Sequence, residues 1–168
     1  MKIHIYDSLP STNTLAKEIA AKGAESGTVI VAKRQTAGRG RYGKSFYSPE
    51  GGIYMSIILS TAELKLTDIT DITRLAGIKT AQAIETVTGR KLTVKGINDL
   101  MLDGRKICGI LTETVTSPDG KIDWVVIGIG INVMRQDFPD DIKDIAGDLH
   151  GDELLKARII QSLFNIFL

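Results

Sequence analysis

The chain has 168 residues, 43% of them hydrophobic, and a formal net charge of +1, which is enough apolar material for one ordinary core and too little length for two. Its one cysteine, Cys108, excludes an internal disulfide, and His4 and His150 stand far apart with no ligand spacing around them; a protein-held metal is not expected, and a reducing, cytoplasmic setting is. No segment approaches the ~20 apolar residues of a membrane span, and the start Met1-Lys2-Ile3-His4 does not read as a signal peptide, so no membrane partner is expected.

In chain order, Ile3 to Tyr6 alternates as a short strand. Ser11 or Thr12 then caps a helix running to about Lys22, with Leu15 and Ile19 on one face and Gly23 as its stop. A helix N-terminus carries unpaired N–H groups, so Ser11-Thr12-Asn13 is either a plain cap or a cap that also meets a ligand. Thr28 to Ala32 is a β-branched run that reads as a buried strand, and it delivers the chain into Gln35-Thr36-Ala37-Gly38-Arg39-Gly40-Arg41-Tyr42-Gly43-Lys44. Between Lys33 and Lys44 the chain carries five cations, Lys33, Arg34, Arg39, Arg41 and Lys44, and no acid, which leaves the remaining chain at −4. Positive charge concentrated on a glycine-spaced segment predicts an anion-gripping loop. Glycines let backbone N–H groups approach a phosphate or carboxylate, and Arg supplies planar forks that bind such groups bidentately.

Ser48-Pro49-Glu50-Gly51-Gly52 is turn chemistry and Ile53 to Leu59 a strongly apolar strand. Asp68 or Asp71 opens a helix to about Thr88, with Ile69, Ile72, Ala76, Ala83 and Val87 along one stripe and Gly89 ending it. Three strands follow: Leu92 to Leu102 with an irregularity near Gly96, Lys106 to Val115, and Ile122 to Val133. The hairpin signals Asp103-Gly104 and Pro118-Asp119-Gly120 join them into an antiparallel meander. Strands that cluster in this way predict an α+β fold, a mostly antiparallel mixed sheet with helices packed on one face. Asp137 to Asp148 is acidic and broken by Pro139 and Gly147, which predicts a surface loop. Asp152 opens a last helix through Leu154, Leu155, Ile159, Leu163 and Ile166. That helix stops on apolar residues without a C-cap, so either its end docks in a core or a following segment is missing.

Gly38 to Ser45 matches the G-x-x-x-x-G-K-S pattern of a P-loop, and Gly38, Gly40 and Gly43 match a dinucleotide fingerprint. Both need a helix starting at the end of the motif, whereas Phe46-Tyr47-Ser48-Pro49 follows and cannot carry one. Arg-Gly-Arg stretches also bind nucleic acid, but the rest of the chain is acidic and offers no second basic patch, so a nucleic-acid partner is not expected. Taken alone, the loop has a lesser alternative as a mobile, solvated segment, and Lys106 reads as a solvated strand-end lysine.

The ordered set resolves more than any member. Ser11-Thr12-Asn13, then Gln35, Gly38-Arg39-Gly40-Arg41 and Gly43, then Lys95 with Asn98-Asp99-Leu100, then Lys106-Ile107 with Gly109-Ile110-Leu111 and Glu113, then Gly128-Ile129-Gly130-Ile131-Asn132 resembles the catalytic domain of biotin–protein ligases. The resemblance covers about residues 7 to 133. It implies an α+β fold related to class II aminoacyl-tRNA synthetases and lipoate–protein ligases. It also implies ATP and biotin as substrates, Mg2+ arriving with the nucleotide, and transfer of biotin through biotinyl-adenylate to a lysine of a carrier domain of a biotin-dependent carboxylase. Arg39 and Arg41 would neutralise carboxylate and phosphate, and Lys106 would stabilise the charge developing on the transferred group. Asp99 would orient Lys106 or Arg39, or accept a proton from the attacking amine. By the family's pattern Ser11, Thr12, Asn13 and Gln35 would meet biotin. The loop glycines Gly38 and Gly40, with Lys44, would meet the phosphates. Phe46, Asn98, Gly109, Leu111 and Asn132 would line the remaining site, Asn132 at the adenine and Phe46 where the family usually has Trp.

The chain departs from the pattern where the family has Trp and Pro and this sequence has Gly96 and Ile97. The exchange removes packing surface and a φ constraint, and is expected to leave a cavity and a looser backbone. At the end of the loop Lys44 keeps the charge of the family's usual Arg without its fork. The whole chain, 1–168, reads as one catalytic domain, a truncated piece or a minimal enzyme. On this reading neither the family's C-terminal β-domain nor an N-terminal DNA-binding unit is expected, and operator binding is not expected. The resemblance also implies pairing of copies as a homodimer through sheet edges. Two alternatives stand beside the ligase reading: a binding module that holds biotin or its adenylate with little turnover, and a lipoate or octanoate ligase of the same fold.

Overall fold

A computed structural model describes residues 2–64 and 68–168. Among these residues seven strands form one sheet: β1 (Ile3–Leu9), β2 (Thr28–Gln35), β3 (Ile53–Ser60), β4 (Thr93–Lys95), β5 (Asp99–Leu102), β6 (Arg105–Thr116) and β7 (Ile122–Ile131), in the spatial order β1-β2-β3-β7-β6-β5-β4. Of these described strands, β1 and β2 pair in parallel and every other neighbouring pair is antiparallel.

Helix α1 (Thr12–Ala21) connects the parallel strands. It packs Ala16 and Ala20 on Ile30, Ile58 and Val126, while α2 (Ile69–Thr88) and α3 (Glu153–Phe167) cover the other face over Val29, Met55, Ile57, Ile127 and Ile129. The expectation of helices on one face therefore holds for α2 and α3 and needs correction for α1. A parallel pair requires a crossover, and its helix must lie against one face of the sheet; here that face is opposite the larger core. Alternate residues of β2, β3 and β7 point into the two cores. Each buried isoleucine in them contributes roughly 1.5–3 kcal/mol relative to exposure.

Asp68, not Asp71, caps α2, its carboxylate accepting from Thr70 N at 2.6 Å. Asp152 does the same for α3 through Leu155 N at 2.8 Å. The apolar end of α3 docks: Phe164, Ile166 and Phe167 pack against the larger core, Lys79 of α2 donates to Ile166 O at 3.0 Å, and its ammonium lies 5.3 Å from the Phe167 ring centre. The segment after β7 is less of a free surface loop than its acids suggest. Lys106 N donates to Ile145 O and Gly147 N to Lys106 O, at 2.8 and 2.9 Å, which ties its returning end to β6.

The predicted strand Leu92 to Leu102 is in fact a hairpin, β4 and β5 joined by a turn at 96–98. Gly96 has φ +65°, a left-handed conformation that L side chains resist. The expected cavity is not formed there, because a Cβ on Gly96 would meet nothing within 4 Å; the position faces open space. Replacing Gly96 by Ala should therefore lower stability by about 1 kcal/mol through backbone conformation alone, measured as a shift in the chemical denaturation midpoint with an unchanged m-value. An unchanged midpoint would place the turn in another conformation.

Candidate active site

The sheet leaves a hollow on the α1 face because its centre lacks side chains there. In β7, Ile127, Ile129 and Ile131 enter the larger core, and the alternating Gly128 and Gly130 face α1 and the basic loop. Gly130 lies opposite Gly109 of β6. A Cβ on Gly130 would stand 2.6 Å from the Phe46 ring and one on Gly109 3.2 Å from it, while one on Gly128 would collide with the Asn13 amide. Phe46 and Asn13 thus occupy the space that glycine vacates.

The start of α1 is fixed by a buried polar cluster. Thr12 N donates to Gln35 Oε1 at 2.8 Å, Gln35 Nε2 to Ser48 Oγ at 2.9 Å, and Ser48 Oγ to Phe46 O at 2.8 Å. The fully buried Ser56 hydroxyl donates to Asn13 Oδ1 at 2.6 Å and lies 2.8 Å from Thr12 Oγ1. Asn13 Nδ2 reaches Leu111 O at 3.2 Å and Glu113 Oε2 at 3.0 Å. Ser11 is the N-cap residue but its side chain makes no capping bond; Gln35 has taken that task, so the buried Ser11 hydroxyl is left to the pocket.

The basic loop closes on itself through the Arg39–Ser45 bridge and Gly40 N donating to Lys44 O at 2.7 Å. Its tip is a 3-10 turn, Arg41–Gly43, in which Tyr42 has φ 58° and is 87% exposed. No helix follows between Lys44 and Gly52, so the geometry of a P-loop is not formed. One relay joins the loop to the sheet. Arg41 Nη1 donates to Asn98 Oδ1 at 2.9 Å, Asn98 Nδ2 to Asp99 Oδ1 at 2.8 Å, and Lys106 Nζ lies 2.7 Å from the same Asp99 oxygen. Glu113 serves the other side, 2.6 Å from Lys17 Nζ and 3.6 Å from Arg39 Nη2. Burial pushes the Glu113 carboxyl up, but the hydrogen bonds from Lys17 and Asn13 and the charges of Lys17 and Arg39 outweigh it and hold the group below its ordinary range. Burial, aided by the charge of Asp99 and opposed by that of Lys106, raises the Cys108 thiol and leaves it protonated.

Two cavities result. The inner, of about 50 Å3, is lined by Ser11, Thr12, Asn13, Gln35 and Arg39 with Gly109 and Leu111. The outer, of about 350 Å3, holds Lys44, Asp99 and Asn132. Gly40, Arg41, Phe46, Asn98 and Lys106 border both. Of the residues given a catalytic or ligand-binding role in the sequence, only Gly38 lies outside these walls. A Cβ there would collide with Phe46 O and stand 2.6 Å from Ser48 Oγ, so Gly38 serves the close approach of two backbone segments. Asn132 is buried, gives Nδ2 to Gly147 O at 2.9 Å and keeps Oδ1 without a partner. Sequence reasoning missed Ser56, Lys17 and the apolar wall Phe138, Ile142 and Ile145 of the outer cavity. Ser56 was the one small hydroxyl inside the apolar run Ile53 to Leu59, and Phe138, Ile142 and Ile145 recur at helical spacing among acids; either signal was available.

Fold and site together define an α+β domain with two joined cavities that meet at Arg41 and Lys106. The sequence model of the biotin/lipoate A/B protein ligase family matches residues 5–132, and the chain belongs to that family. It is 41% identical over 168 residues to the bifunctional ligase/repressor BirA of Bacillus subtilis, covering 96% of this chain and 51% of that protein. It is 31% identical over 125 residues to the biotin–[acetyl-CoA-carboxylase] ligase of Paracoccus denitrificans, covering 73% of this chain and 51% of that one. The chain thus spans about half the length of these curated relatives. Among solved structures, the biotin protein ligase of Aquifex aeolicus in complex with biotin and ATP superimposes with a TM-score of 0.81 at 29% identity, over 98% of this chain and 69% of that one.

Because the folded-state pKa of Glu113 lies below its ordinary 4.5, its contribution to stability is present above that value and is lost as pH falls through the folded one. Denaturation midpoints between pH 6 and 3 should fall less steeply in E113Q than in the parent chain. Parallel curves would show that the carboxylate gains nothing from Lys17 and Asn13.

Proposed function

We propose that the chain activates biotin with ATP and transfers it to a lysine of a biotin carrier domain of a carboxylase. One observation carries the reading: a small compartment of hydroxyl and amide groups and a larger one with apolar walls meet at Arg41, Lys106 and Phe46. A ligand spanning both puts its junction among cations. The similarity to the ligase solved with biotin and ATP supports the same assignment.

In the first step a biotin carboxylate oxygen attacks the α-phosphorus of ATP, the bond to the β-phosphate breaks and pyrophosphate leaves. Two anions must approach, and Arg39 and Arg41 offset their repulsion while Lys106 meets charge developing on the transferred phosphoryl group. In the second, the carrier amine attacks the acyl carbon and AMP departs. Ser11, Thr12, Asn13 and Gln35 take the biotin end. Asn132 takes the base of the nucleotide, with Phe138, Ile142 and Ile145 as its apolar enclosure, and Lys44 contributes charge at the outer mouth. Asp99 is committed to both Lys106 and Asn98, which supports a positioning role over that of a free base. Among the described residues no group of three or more His, Cys, Asp or Glu is assembled to hold a metal. Magnesium belongs to the nucleotide in this reading, and no step is routed through it.

Biotin-dependent exchange of labelled pyrophosphate into ATP, with lipoate and no-acid controls, tests the first step without a carrier. Exchange with biotin alone is the expected result; exchange with lipoate alone would move the chain to the other branch of its family, and biotin binding without exchange would leave a binding module. Lys106→Ala should slow exchange by about 10²–10³ with little change in biotin affinity. Arg41→Gly should loosen retention of the adenylate, read as labelling of exposed lysines on a bystander protein.

A further inference from the structure

Glu113 projects from β6 onto the face shared by Gly109 and Leu111, two and four residues before it, and so stands at the edge of the hollow. Across from it, Asn13 and Lys17 lie four residues apart on α1, one turn above the other on a single helix face. The helix thus presents an amide and an ammonium to the two oxygens of one carboxylate. Oε2 accepts from Asn13 Nδ2 at 3.0 Å. Oε1 faces two cations at once: Lys17 Nζ at 2.6 Å, a full charge-assisted hydrogen bond, and Arg39 Nη2 at 3.6 Å, beyond hydrogen-bonding reach.

Lys17 and Arg39 therefore compete for one oxygen, and Lys17 holds it. The outcome is not the one that residue chemistry favours, since a guanidinium fork fits a carboxylate better than an ammonium does. It also divides the cations by use. Arg39 borders the inner cavity and its side chain is half exposed, whereas the Lys17 side chain is 28% exposed and that of Glu113 18%. Paired in this way, Lys17 and Glu113 form a neutral unit behind the pocket and Arg39 keeps its charge at the front. Without Lys17, the partly dry carboxylate would draw Arg39 back to complete its pairing, and the hollow would lose one unit of positive charge.

We propose that Lys17 is a positioning residue, which saturates Glu113 and so leaves the Arg39 guanidinium open to the biotin carboxylate. The inference rests on the ligase reading given above and adds to it a residue that touches no ligand. It differs from a plain tether of α1 to β6, because it makes Glu113 harmful to binding once its ammonium partner is gone.

Biotin affinity is measured by calorimetry on the parent chain, K17M, K17R and K17M/E113Q, and the 15N signals of the Arg39 guanidinium are followed in the same four chains without ligand. Lys17→Met keeps an unbranched apolar stem on α1 and should weaken biotin binding by about fivefold, with the Arg39 signals displaced. K17R restores the cation, and K17M/E113Q leaves no carboxylate to draw Arg39 away; both should return to within about twofold of the parent. A tether predicts the reverse, a double variant at least as impaired as K17M, and that result would overturn the proposal. Parental affinity in K17M would do the same. A parent chain that binds no biotin would sink the ligase reading instead, and the Arg39 signals, displaced in K17M and restored in the double variant or unmoved in both, would then decide the inference by themselves.

Discussion

The constraint on which the molecule turns is the close approach of two side chains to a bare patch of sheet. Phe46 rests over the Gly109–Gly130 pair and Asn13 against Gly128. These contacts bring the basic loop and the start of α1 onto the same hollow, and no side chain of β6 or β7 could be added there without displacing them. Everything charged in the site is arranged around this contact. Lys106 lies 5.8 Å from the Phe46 ring centre, Arg41 reaches it through Asn98 and Asp99, and Glu113 gathers Lys17, Arg39 and Asn13 on the opposite side.

The cations are held, but not neutralised. Asp99 and Glu113 between them face Arg39, Arg41, Lys17 and Lys106, so the site keeps surplus positive charge inside a partly dry hollow. Such an arrangement is costly without an anion and strengthens its hold on one as water is excluded. The left-handed conformation of the exposed Tyr42 at the loop tip belongs with this picture: backbone held away from its easiest conformation concentrates where a ligand is met.

Much of this was legible in the residues. Caps at Asp68 and Asp152, the stop at Gly89 and both hairpin turns of the meander are local chemistry, decided within a few residues, and they appear where the sequence placed them. The ordered motifs also named nearly every residue of the inner cavity, but not the apolar wall of the outer one. What escaped was whatever depends on distant partners. Gln35, twenty-three residues away in sequence, caps Thr12 in place of Ser11, and nothing near Ser11 announces that. Gly38, expected at the phosphates, lies outside both cavities and sits where two backbone segments approach closely. The side of the sheet taken by α1 follows from the parallel pairing of β1 with β2, a long-range choice that strand patterns alone do not reveal. The turn at Gly96 was hidden because a three-residue strand beside a four-residue one reads as a single interrupted run.

The alternation of Gly and Ile along β7 makes one strand both a pillar of the larger core and the bed of the site. Side chains in a strand change face with every residue. A slip of one position in its pairing with β3 or β6 would drive isoleucines into the hollow and leave glycines facing α2 and α3. Such a chain would lose its core and its ligand pocket together. The register that forms the site is therefore also the one that the packing of the core selects.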